Sequence, residues 1–395
     1  MDLLMDILSV ILKCVTAYIA ITGALFLLPR KKYPAAAHET RFAILIPARN
    51  EETVIEGIIR NLQQQNYPRE KYDIFVIPNN CTDRTETAAR RCGARILHCM
   101  GAVRTKGEVL HDIFDQLKGH YDAYCVFDAD NRADPDFLAR MNDAIAAGAE
   151  AAKGKQVASN PYESWVAGCY DLYFQNNNLL FNRPRAALGL STKLIGTGFM
   201  ITDSLLDKLG GWNTVTLTED TELAAQCAMK GIRIHYVPEA KSYDEQPLSF
   251  RASIRQRRRW SSGVMSVSNR YCLRLLSGKP SWLRFDYAMF LSLIYVQLLV
   301  AIPAVYNLLG LSFAALVNTL LISLLCAWAS LVGTALLLCI SNGRSVLRMW
   351  RAVLMYPLFM GSWYALNVVC LFAKPKSWQP IIHLGREAEK LDQAS

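Results

Sequence analysis

Residues 42–62 read FAILIPARNEETVIEGIIRNL, in which five consecutive apolar residues are followed by Pro47 and then by a different apolar pattern. The apolar run is typical of a strand buried on both faces of a sheet, and the proline ends it. Apolar residues then recur at helical spacing, at positions 54, 55, 58, 59 and 62. A buried strand followed by an amphipathic helix is the repeating unit of a parallel α/β sheet.

The same alternation continues to about residue 244. Residues 73–77 predict a second strand, which the turn-rich sequence Pro78-Asn79-Asn80-Cys81-Thr82-Asp83 follows. Residues 95–97 and 123–127 predict two more strands. We therefore expect an α/β domain with a doubly wound, mixed but mostly parallel sheet, in which ligands bind at the carboxyl ends of the strands.

Apolar blocks at the two ends of the chain predict an integral membrane protein. The 395 residues are 52% hydrophobic with a mean hydropathy of +0.13, which is too apolar for a single soluble domain. Four segments are each long enough to cross a bilayer as a helix: residues 3–28, 285–309, 311–340 and 352–372. A cleaved signal peptide is the alternative for the first segment, but its start is acidic and its apolar run is long.

Basic residues next to these segments predict their orientation. Arg30, Lys31 and Lys32 follow the first segment, and Arg344, Arg348 and Arg351 lie between the third and the fourth. Because basic loops stay in the cytoplasm, we expect a multi-pass protein of the plasma or inner membrane with a cytoplasmic α/β domain. With these loops in the cytoplasm, the fourth crossing places the tail outside. Lys374 and Lys376 instead favour the inside, so the side of the tail stays open.

Charge and cysteine content narrow the class of partner. The formal net charge is +9, and the basic residues cluster beside the apolar segments and between residues 251 and 274. Lipid headgroups and nucleotide phosphates explain this charge better than nucleic acid, for which no aromatic-rich basic module is visible. The 11 cysteines contain no C-x-x-C pair, so we expect reduced thiols and no zinc site.

Asp128 and Asp130 directly follow the predicted strand at residues 123–127. In an extended backbone, side chains two residues apart point the same way. One carboxylate can therefore hold a nucleotide sugar while the other binds a divalent ion, Mg²⁺ or Mn²⁺, that also contacts the phosphates. The alternative is an Asp-rich turn that caps the next helix.

A second acidic motif, Thr218-Glu219-Asp220, precedes the helical pattern of residues 223–229. An acid in the first turn of a helix is its simplest explanation. The functional alternative is a general base that deprotonates an acceptor hydroxyl while a diphosphate leaves from the opposite face, which inverts the anomeric carbon. Asp220 is the first candidate for this base and Glu219 is its rival.

Helical spacing divides the basic segment that follows into two stripes. Gln256, Arg259 and Trp260 lie on one stripe, and the opposite stripe carries Arg251, Arg255 and Arg258. A guanidinium group binds phosphate with two hydrogen bonds, and a large aromatic face can stack on a sugar ring. The first stripe thus suits a site for a sugar phosphate, and the alternative is a basic helix lying on anionic lipid.

Taken in order, six short motifs resemble those of family 2 glycosyltransferases, in the branch of the cellulose, chitin, hyaluronan and poly-N-acetylglucosamine synthases. They are Pro47-Ala48-Arg49-Asn50-Glu51-Glu52, Asn80-Cys81-Thr82-Asp83, Lys106-Gly107, Asp128-Ala129-Asp130, Thr218-Glu219-Asp220 and Gln256-Arg257-Arg258-Arg259-Trp260. The resemblance covers residues 41–268, and the last two motifs are its most specific part. It implies a GT-A fold attached to an α-helical transmembrane bundle.

The resemblance also implies roles for individual residues. Pro47, Ala48, Glu51 and Asn80 would bind the uridine of a UDP-sugar, although the family usually has Asp where Asn80 stands. Lys106 would contact the diphosphate or the donor sugar, and Asp128 the donor. Asp130 would bind the metal ion.

On the acceptor side, the resemblance makes Asp220 the catalytic base, with Glu219 at the substrate. Gln256, Arg259 and Trp260 would close the site around the diphosphate and the acceptor. Gly198, in the segment Gly196-Thr197-Gly198-Phe199-Met200, would lie beside the acceptor, unless that segment is merely a strand with a tight bend.

These observations predict five regions and one function. The regions are an N-terminal transmembrane helix at 1–29, a cytosolic GT-A domain at 41–245, amphipathic interface helices at 246–284, three transmembrane helices at 285–373 and a polar tail at 374–395. The predicted function is an inverting membrane glycosyltransferase that elongates, and exports, a β-linked polysaccharide from a UDP-sugar. Its partners would be the growing glycan, membrane lipids and, as further candidates, a second copy of the chain or an export protein.

Two alternative functions stay open. The first is a non-processive transferase whose acceptor is a lipid, so that the product is a glycolipid or a lipid-linked sugar. The second, from another class, is a catalytically inactive membrane scaffold or transporter subunit, against which the intact Asp130 and Asp220 argue.

Overall fold

The computed structural model describes residues 2–30 and 32–373. The predicted polar tail at 374–395, with Lys374 and Lys376, lies outside the described residues, as does Lys31.

Eight strands in this part of the chain form one sheet. They are β1 (Phe42–Ala48), β2 (Tyr72–Pro78), β3 (Arg95–Ile96), β4 (Ala123–Val126), β5 (Arg132–Ala133), β6 (Ala151–Ala158), β7 (Phe199–Thr202) and β8 (Ile234–Asp244). Their order across the sheet is β3-β2-β1-β4-β7-β6-β8-β5. β1 to β4 are parallel, β7 is antiparallel to both of its neighbours, and β8 pairs parallel to β6 and antiparallel to β5. The predicted doubly wound mixed sheet is therefore confirmed.

Helices cover the sheet and continue beyond it. Those in the α/β region are α2 (Ile55–Leu62), α3 (Thr85–Arg91), α4 (Lys106–Leu117), α5 (Phe137–Ala146), α6 (Trp165–Asn176), α7 (Arg183–Ala187), α8 (Asp203–Leu209) and α9 (Glu219–Met229). The long or apolar ones are α1 (Asp2–Ala24), α10 (Phe250–Leu276), α11 (Trp282–Leu299), α12 (Ala301–Leu308), α13 (Phe313–Ser341) and α14 (Val346–Phe372). Short 3₁₀ turns occupy Leu25–Leu27 and Arg69–Lys71, and a π-helix occupies Asn177–Asn182.

The first strand has a core on each of its faces, as its continuous apolar run predicts. Ala43 and Leu45 pack into one cluster with residues of α4 and α9, such as Leu110. Phe42, Ile44 and Ile46 pack into the other cluster, which α2 and α5 complete. Alternation of side chains across a strand produces this division. The carboxyl end of β1 is consequently held in the middle of the sheet.

Among the described residues, four helices are long and apolar enough to cross a membrane, by length and composition: Leu3–Leu27, Trp282–Leu308, Phe313–Ser341 and Val346–Phe372. The last differs from the sequence-based expectation, because it begins at residue 346 and not at 352. Arg348 and Arg351, expected in the preceding linker, therefore lie on α14. Arg348 lies over the ring of Tyr162, 3.9 Å from its centre, so a cation–π contact supports the longer helix.

A buried ion pair between α7 and α11 also holds the N-terminal helix, α1. Asp286 of α11 accepts hydrogen bonds from Arg185 Nε and Nη2, each at 2.9 Å, and from the Tyr18 hydroxyl of α1 at 2.9 Å. The Arg185 and Asp286 side chains are 1% and 2% exposed. The guanidinium donates two hydrogen bonds to the carboxylate and the Tyr18 hydroxyl adds a third, and such bonds offset part of the desolvation cost of a buried ion pair.

Candidate active site

One cleft opens at the carboxyl ends of β1, β2 and β4, with a cavity volume of about 240 Å³. Its other walls come from the first turns of α4 and α9, the segment before β7, the end of β8 and one face of α10. All but two of the residues predicted for the site line it: Pro47, Ala48, Glu51, Lys106, Asp128, Asp130, Glu219, Asp220, Gln256, Arg259 and Trp260.

Asn80 and Gly198 do not line the cleft. Asn80 has a φ of 52°, and its Nδ2 donates to the Val103 carbonyl at 2.9 Å, so it braces the loop before α4 while Asn79 faces the cavity. Gly198 has a φ of 59°, and a Cβ there would lie 2.3 Å from Ser242 Oγ. It is required for the turn and for close packing on β8. Gly196 and Thr197 line the cleft in its place.

Lys106, at the start of α4, connects three walls of the cleft. Its Nζ donates to Asp128 Oδ1 at 2.5 Å and to the Gly196 carbonyl at 2.6 Å, and it lies 3.9 Å from Glu219 Oε1. Burial alone would lower the pKa of Lys106, but the attraction of Asp128 and Glu219 outweighs it and raises the pKa. The ammonium group thus stays charged between the two acidic motifs.

Three carboxylates on the nucleotide side of the cleft carry more negative charge than their surroundings neutralise. Burial, with the charge of Asp128, raises the pKa of Asp130 to about 7. Burial, with the charges of Asp130 and Asp128, raises the pKa of Glu51 to about 8. Such shifts mark carboxylates that are held together without sufficient positive charge.

This excess of charge fits a divalent cation. Within residues 2–30 and 32–373, no group of three or more His, Cys, Asp or Glu side chains could hold a metal ion by itself. A cation at Asp130 would therefore complete its coordination with water and phosphate oxygens, which is how Mg²⁺ is usually bound. Oxygen donors, and the absence of sulfur and imidazole from the cleft lining, match Mg²⁺ or Mn²⁺.

The second acidic motif forms the first turn of α9, and its acids have separate tasks. Glu222 Oε2 accepts from the backbone amides of Val215 and Thr216 at 2.8 and 2.7 Å, which ties down the loop before the helix. Glu219 and Asp220 are thereby left facing the cleft. Burial raises the pKa of each, and Asp220 adds to the effect on Glu219. A methyl group at Gly196 would lie 3.4 Å from Glu219 Oε1 and 3.5 Å from Asp220 Oδ2.

The helical stripe of α10 closes the cleft on the side of the apolar helices. Gln256 Oε1 accepts from the Tyr170 hydroxyl at 2.8 Å, and Arg259 Nη1 donates to the Leu217 carbonyl at 3.3 Å, directly before the α9 motif. Trp260 stacks on Trp363 of α14 with ring centres 6.2 Å apart. On the opposite stripe, Arg251 and Arg255 are exposed as the spacing predicts, whereas Arg258 is half-buried and its Nη2 donates to the Ala373 carbonyl after α14 at 2.8 Å.

The stack of aromatic rings continues past Trp363. Its ring lies 5.7 Å from that of Tyr173 on α6, with an angle of 28° between the planes. The three half-buried rings thus belong to α10, α14 and α6, and the middle ring lies on α14, one of the described helices able to cross a membrane. This surface offers flat, apolar faces with polar edges, which suit an amphipathic ligand.

Sequence reasoning missed a polar wall opposite these rings. Gln156 of β6, Asp244 at the end of β8, and the following Glu245 and Gln246 all line the cleft. The alternating strand that ends at Asp244 was the available signal, because ligand-binding residues follow strand ends. In the sequence, neither Glu239 nor Glu245 differs from a solvated loop acid; in the structure, Glu245 lines the cleft and Glu239 pairs with Arg30.

Arg257 was also missed as a special position. It lies between the two predicted stripes and is completely buried, with its guanidinium 4.1 Å from the centre of the Phe359 ring. Its Nε donates to Ser253 Oγ and its Nη1 to the Phe359 carbonyl. The residue fastens α10 to α14, which fixes the position of Trp260 on the next turn.

The raised pKa of Glu51 predicts that the ligand-free protein loses stability as pH rises. A carboxyl group whose folded pKa is above its usual 4.5 stabilises the fold fully below that pH, and this contribution is lost as pH rises through about 8. The loss is at most about 1.4 kcal/mol per pH unit for one group. Glu51→Gln should therefore gain thermal stability relative to wild type between pH 5 and pH 8.

Thermal unfolding in one detergent with EDTA, across that pH range, measures this difference. Glu70→Gln is the matched control, because Glu70 is exposed and does not line the cleft. Its unfolding midpoint should follow that of the wild type at every pH. Parallel curves for wild type and Glu51→Gln would contradict the assignment of excess charge to Glu51.

Comparison with known proteins places this cleft in a family. A family described as glycosyl transferase family group 2 matches residues 125–368. A probable glycosyltransferase of Bacillus subtilis, YdaM, is 28% identical over 258 residues, which cover 62% of this chain and 60% of the relative. A beta-monoglucosyldiacylglycerol synthase of Synechocystis sp. is 26% identical over 275 residues, covering 66% and 55% of the two chains. The chain thus spans less than two thirds of the length of these relatives.

A solved structure confirms the predicted GT-A fold. The mannosyltransferase of Pyrobaculum calidifontis, determined in complex with GDP-Man and Mn²⁺, superposes with a TM-score of 0.59 at 19% identity. The match covers 94% of this chain and 100% of that one. Since the family match extends over more than half of the sequence, the chain belongs to glycosyl transferase family group 2.

Proposed function

We propose that the chain is an inverting, membrane-bound glycosyltransferase that transfers one sugar from a UDP-sugar to a lipid acceptor. The observation that carries this proposal is the position of Lys106 between Asp128 and Glu219. It brings a donor-binding carboxylate and a candidate base into one cleft, at the sheet edge where α/β proteins bind nucleotides.

The donor would occupy the side of the cleft formed by β1, β2 and β4. Pro47, Ala48 and Glu51 would contact the nucleotide, with Asn79 in the role expected of Asn80. Lys106 and Arg259 are two of the cations that line the cavity, and they would bind the two phosphates. Asp128 would hold the donor sugar.

A bound Mg²⁺ or Mn²⁺ would stabilise the negative charge that develops on the departing diphosphate. Asp130 would hold the ion. Its raised pKa supports this role, because a cation would relieve the repulsion from Asp128 and Glu51.

On the far side of the donor, Asp220 would remove the proton from the attacking hydroxyl. Its burial keeps it basic, since burial raises the pKa of a carboxylate and makes it a stronger proton acceptor. Attack from the α9 wall on a donor whose diphosphate lies against the β1 wall reverses the configuration of the anomeric carbon. Glu219 is closer to Lys106 and would orient the substrate.

The acceptor is proposed to be a lipid. The ring stack of Trp260, Trp363 and Tyr173 leads from the cleft to a helix that could cross a membrane. It would guide a headgroup while the acyl chains stay among the apolar helices. Support also comes from the Synechocystis relative, whose name describes a glucosyl transfer to diacylglycerol.

Elongation of a β-linked polysaccharide is the second candidate. The observation that favours it is that Gln256, Arg259 and Trp260 all face the cleft, as the resemblance to polysaccharide synthases implies. A glycan would stack on the same Trp260 face. The number of sugars in the product separates the two candidates.

The membrane topology and the division into regions remain proposals as well. Four crossings with the α/β domain in the cytoplasm would place the basic residues before α14 on the cytoplasmic side. Arg344 there is bound to Asp171 of α6 at 2.8 Å, which supports a location of that loop next to the α/β domain. The proposed regions are those predicted from the sequence, with α10 as the interface helix.

The function is tested with the purified full-length chain in vesicles that contain diacylglycerol. UDP release is measured with UDP-glucose, UDP-galactose and UDP-N-acetylglucosamine, and products are identified by mass spectrometry. We expect one donor to give a lipid that carries a single sugar, with turnover lost in EDTA and restored by Mg²⁺ or Mn²⁺. A long glycan would establish the second candidate, and no UDP release with any donor would favour an inactive scaffold.

Asp220→Asn should reduce transfer by about 10²–10⁴-fold while UDP affinity is retained, because only the base is removed. Steady-state turnover and UDP titration measure the two effects. Asp203→Asn is the matched control, since Asp203 lies in the first turn of α8 outside the cleft. A change that affects only helix capping costs ~1 kcal/mol of stability. If Asp220→Asn behaves like this control, Asp220 is not the base.

Trp260→Ala and Trp363→Ala should each raise the KM for the lipid acceptor about 2- to 10-fold and leave the KM for the donor unchanged. Each variant removes one ring of the stack that connects the cleft to α14. Trp350→Ala is the control, because Trp350 lies on the same helix but is 53% exposed. An equal effect of all three variants on donor and acceptor would contradict the proposed acceptor path.

A further inference from the structure

Two buried oxygen atoms on the polar wall of the cleft have no hydrogen-bond partner among residues 2–30 and 32–373. They are Gln156 Oε1 and Asp244 Oδ1. Gln156 is 4% exposed and Asp244 is 8% exposed, and both residues line the cavity. A buried acceptor without a donor is costly, so such atoms in a binding cleft indicate the place of a ligand donor.

The hydrogen bond between Gln156 and Asp244 identifies which atom of the Gln156 amide is the open oxygen. Gln156 donates its Nε2 to Asp244 Oδ2 at 2.6 Å, which fixes the amide orientation and leaves Oε1 free. Gln246 donates its Nε2 to the same carboxylate oxygen at 2.7 Å. Both donors thus bind Oδ2, and Oδ1 is left open beside the open amide oxygen of Gln156.

The pair is held rigidly before any ligand arrives. Gln156 belongs to β6, and its carbonyl accepts from Asn178 Nδ2 at 2.8 Å. Gln246 exchanges two hydrogen bonds with the side chain of Asn160, at 2.9 and 3.0 Å. Because the fold already orders these acceptors, a ligand would bind them with little further loss of side-chain entropy.

The chemistry required of the ligand is that of neighbouring hydroxyl groups. The two open atoms are an amide oxygen and a carboxylate oxygen, and both can only accept when Asp244 is ionised. Burial raises the pKa of Asp244 to about 8, and a ligand that donates to Oδ1 would favour its ionised form. Two open acceptors on hydrogen-bonded side chains call for a ligand with two donors, which a sugar ring supplies and which a glyceride with a single free hydroxyl does not.

Their position within the cleft selects the donor sugar over the acceptor. β5 starts directly after Asp130 and Asn131, and it pairs with β8 at Ser242 and Tyr243. This pairing places Asp244 next to the Asp128-Ala129-Asp130 motif, on the side of the cleft proposed to hold the donor.

We propose that Gln156 Oε1 and Asp244 Oδ1 accept hydrogen bonds from two hydroxyls of the transferred sugar and thereby select the donor. The inference rests on the proposed function, because it assigns these residues to the sugar of the same nucleotide donor. Asp244→Asn keeps the oxygen that the two Gln amides require and presents an amino group at the open position. Gln156→Met keeps the side-chain length and removes the amide.

The experiment compares the affinity of the full-length chain for UDP and for UDP-glucose, UDP-galactose and UDP-N-acetylglucosamine in one detergent with Mg²⁺. The dissociation constant for UDP divided by that for the UDP-sugar measures the affinity that the sugar adds. For the sugar that the wild type binds best, we expect each variant to lower this ratio about 10-fold, with UDP affinity unchanged. The deoxy analogue that lacks a contacted hydroxyl should bind more weakly than its parent to the wild type and equally to the variants.

Gln175→Met is the matched control. Gln175 is also buried, with an unpaired Oε1 among the described residues, but it lies on α6 outside the cleft lining. The assignment is overturned if the affinity ratio is unchanged in Asp244→Asn and Gln156→Met, or if Gln175→Met lowers it equally. It is also overturned if the wild type binds no UDP-sugar more tightly than UDP. A wild type that binds neither UDP nor any of the three UDP-sugars overturns the proposed function together with this inference.

Discussion

One buried ammonium group, Lys106 Nζ, holds together a cleft whose walls repel each other. Its partners come from three distant segments: Asp128 after β4, the Gly196 carbonyl before β7, and Glu219 at the start of α9. Of the two acids, Glu219 is the buried one, and its charge would be costly without a partner. The helix that begins at Lys106 is in turn packed against the sheet through residues such as Val109 and Leu110. The position of this single charge therefore depends on the hydrophobic core, and the spacing of the acidic walls depends on the charge.

The remaining negative charge gives the empty cleft a tendency to bind protons. Burial raises the pKa of Glu51, Asp130 and Asp220, and repulsion from neighbouring carboxylates adds to it at Glu51 and Asp130. A ligand or cation that requires these groups ionised must displace protons, so binding and proton release are linked. The same property that makes the cleft unfavourable when empty favours the binding of a cation beside these carboxylates.

Local patterns in the sequence predicted the parts of the fold that depend on local physics. The run Phe42–Ala48 is apolar because both of its faces are buried, and the acids at 128 and 130 follow a strand that ends at the same edge. Gln156 and Asp244 escaped notice because their contact joins two strands far apart in the chain. Asn80 was misplaced for a related reason: a positive φ turns it to the loop before α4. Arg257 reads like its basic neighbours, and only the packing of α14 shows it to be buried.

The ion pair of Arg185 and Asp286, with the Tyr18 hydroxyl, also bears on the order in which the chain can assemble. Tyr18 and Asp286 are 268 residues apart, so this contact cannot form until nearly three quarters of the protein has been synthesised. During translation, α1 is made first but has no acidic partner, and Arg185 is a cation without its counter-ion. When α11 is synthesised, its Asp286 carboxylate can bind both Arg185 and the Tyr18 hydroxyl. The hydrogen bond that ties α1 to Asp286 therefore forms late, after the α/β domain and α11 have both been synthesised.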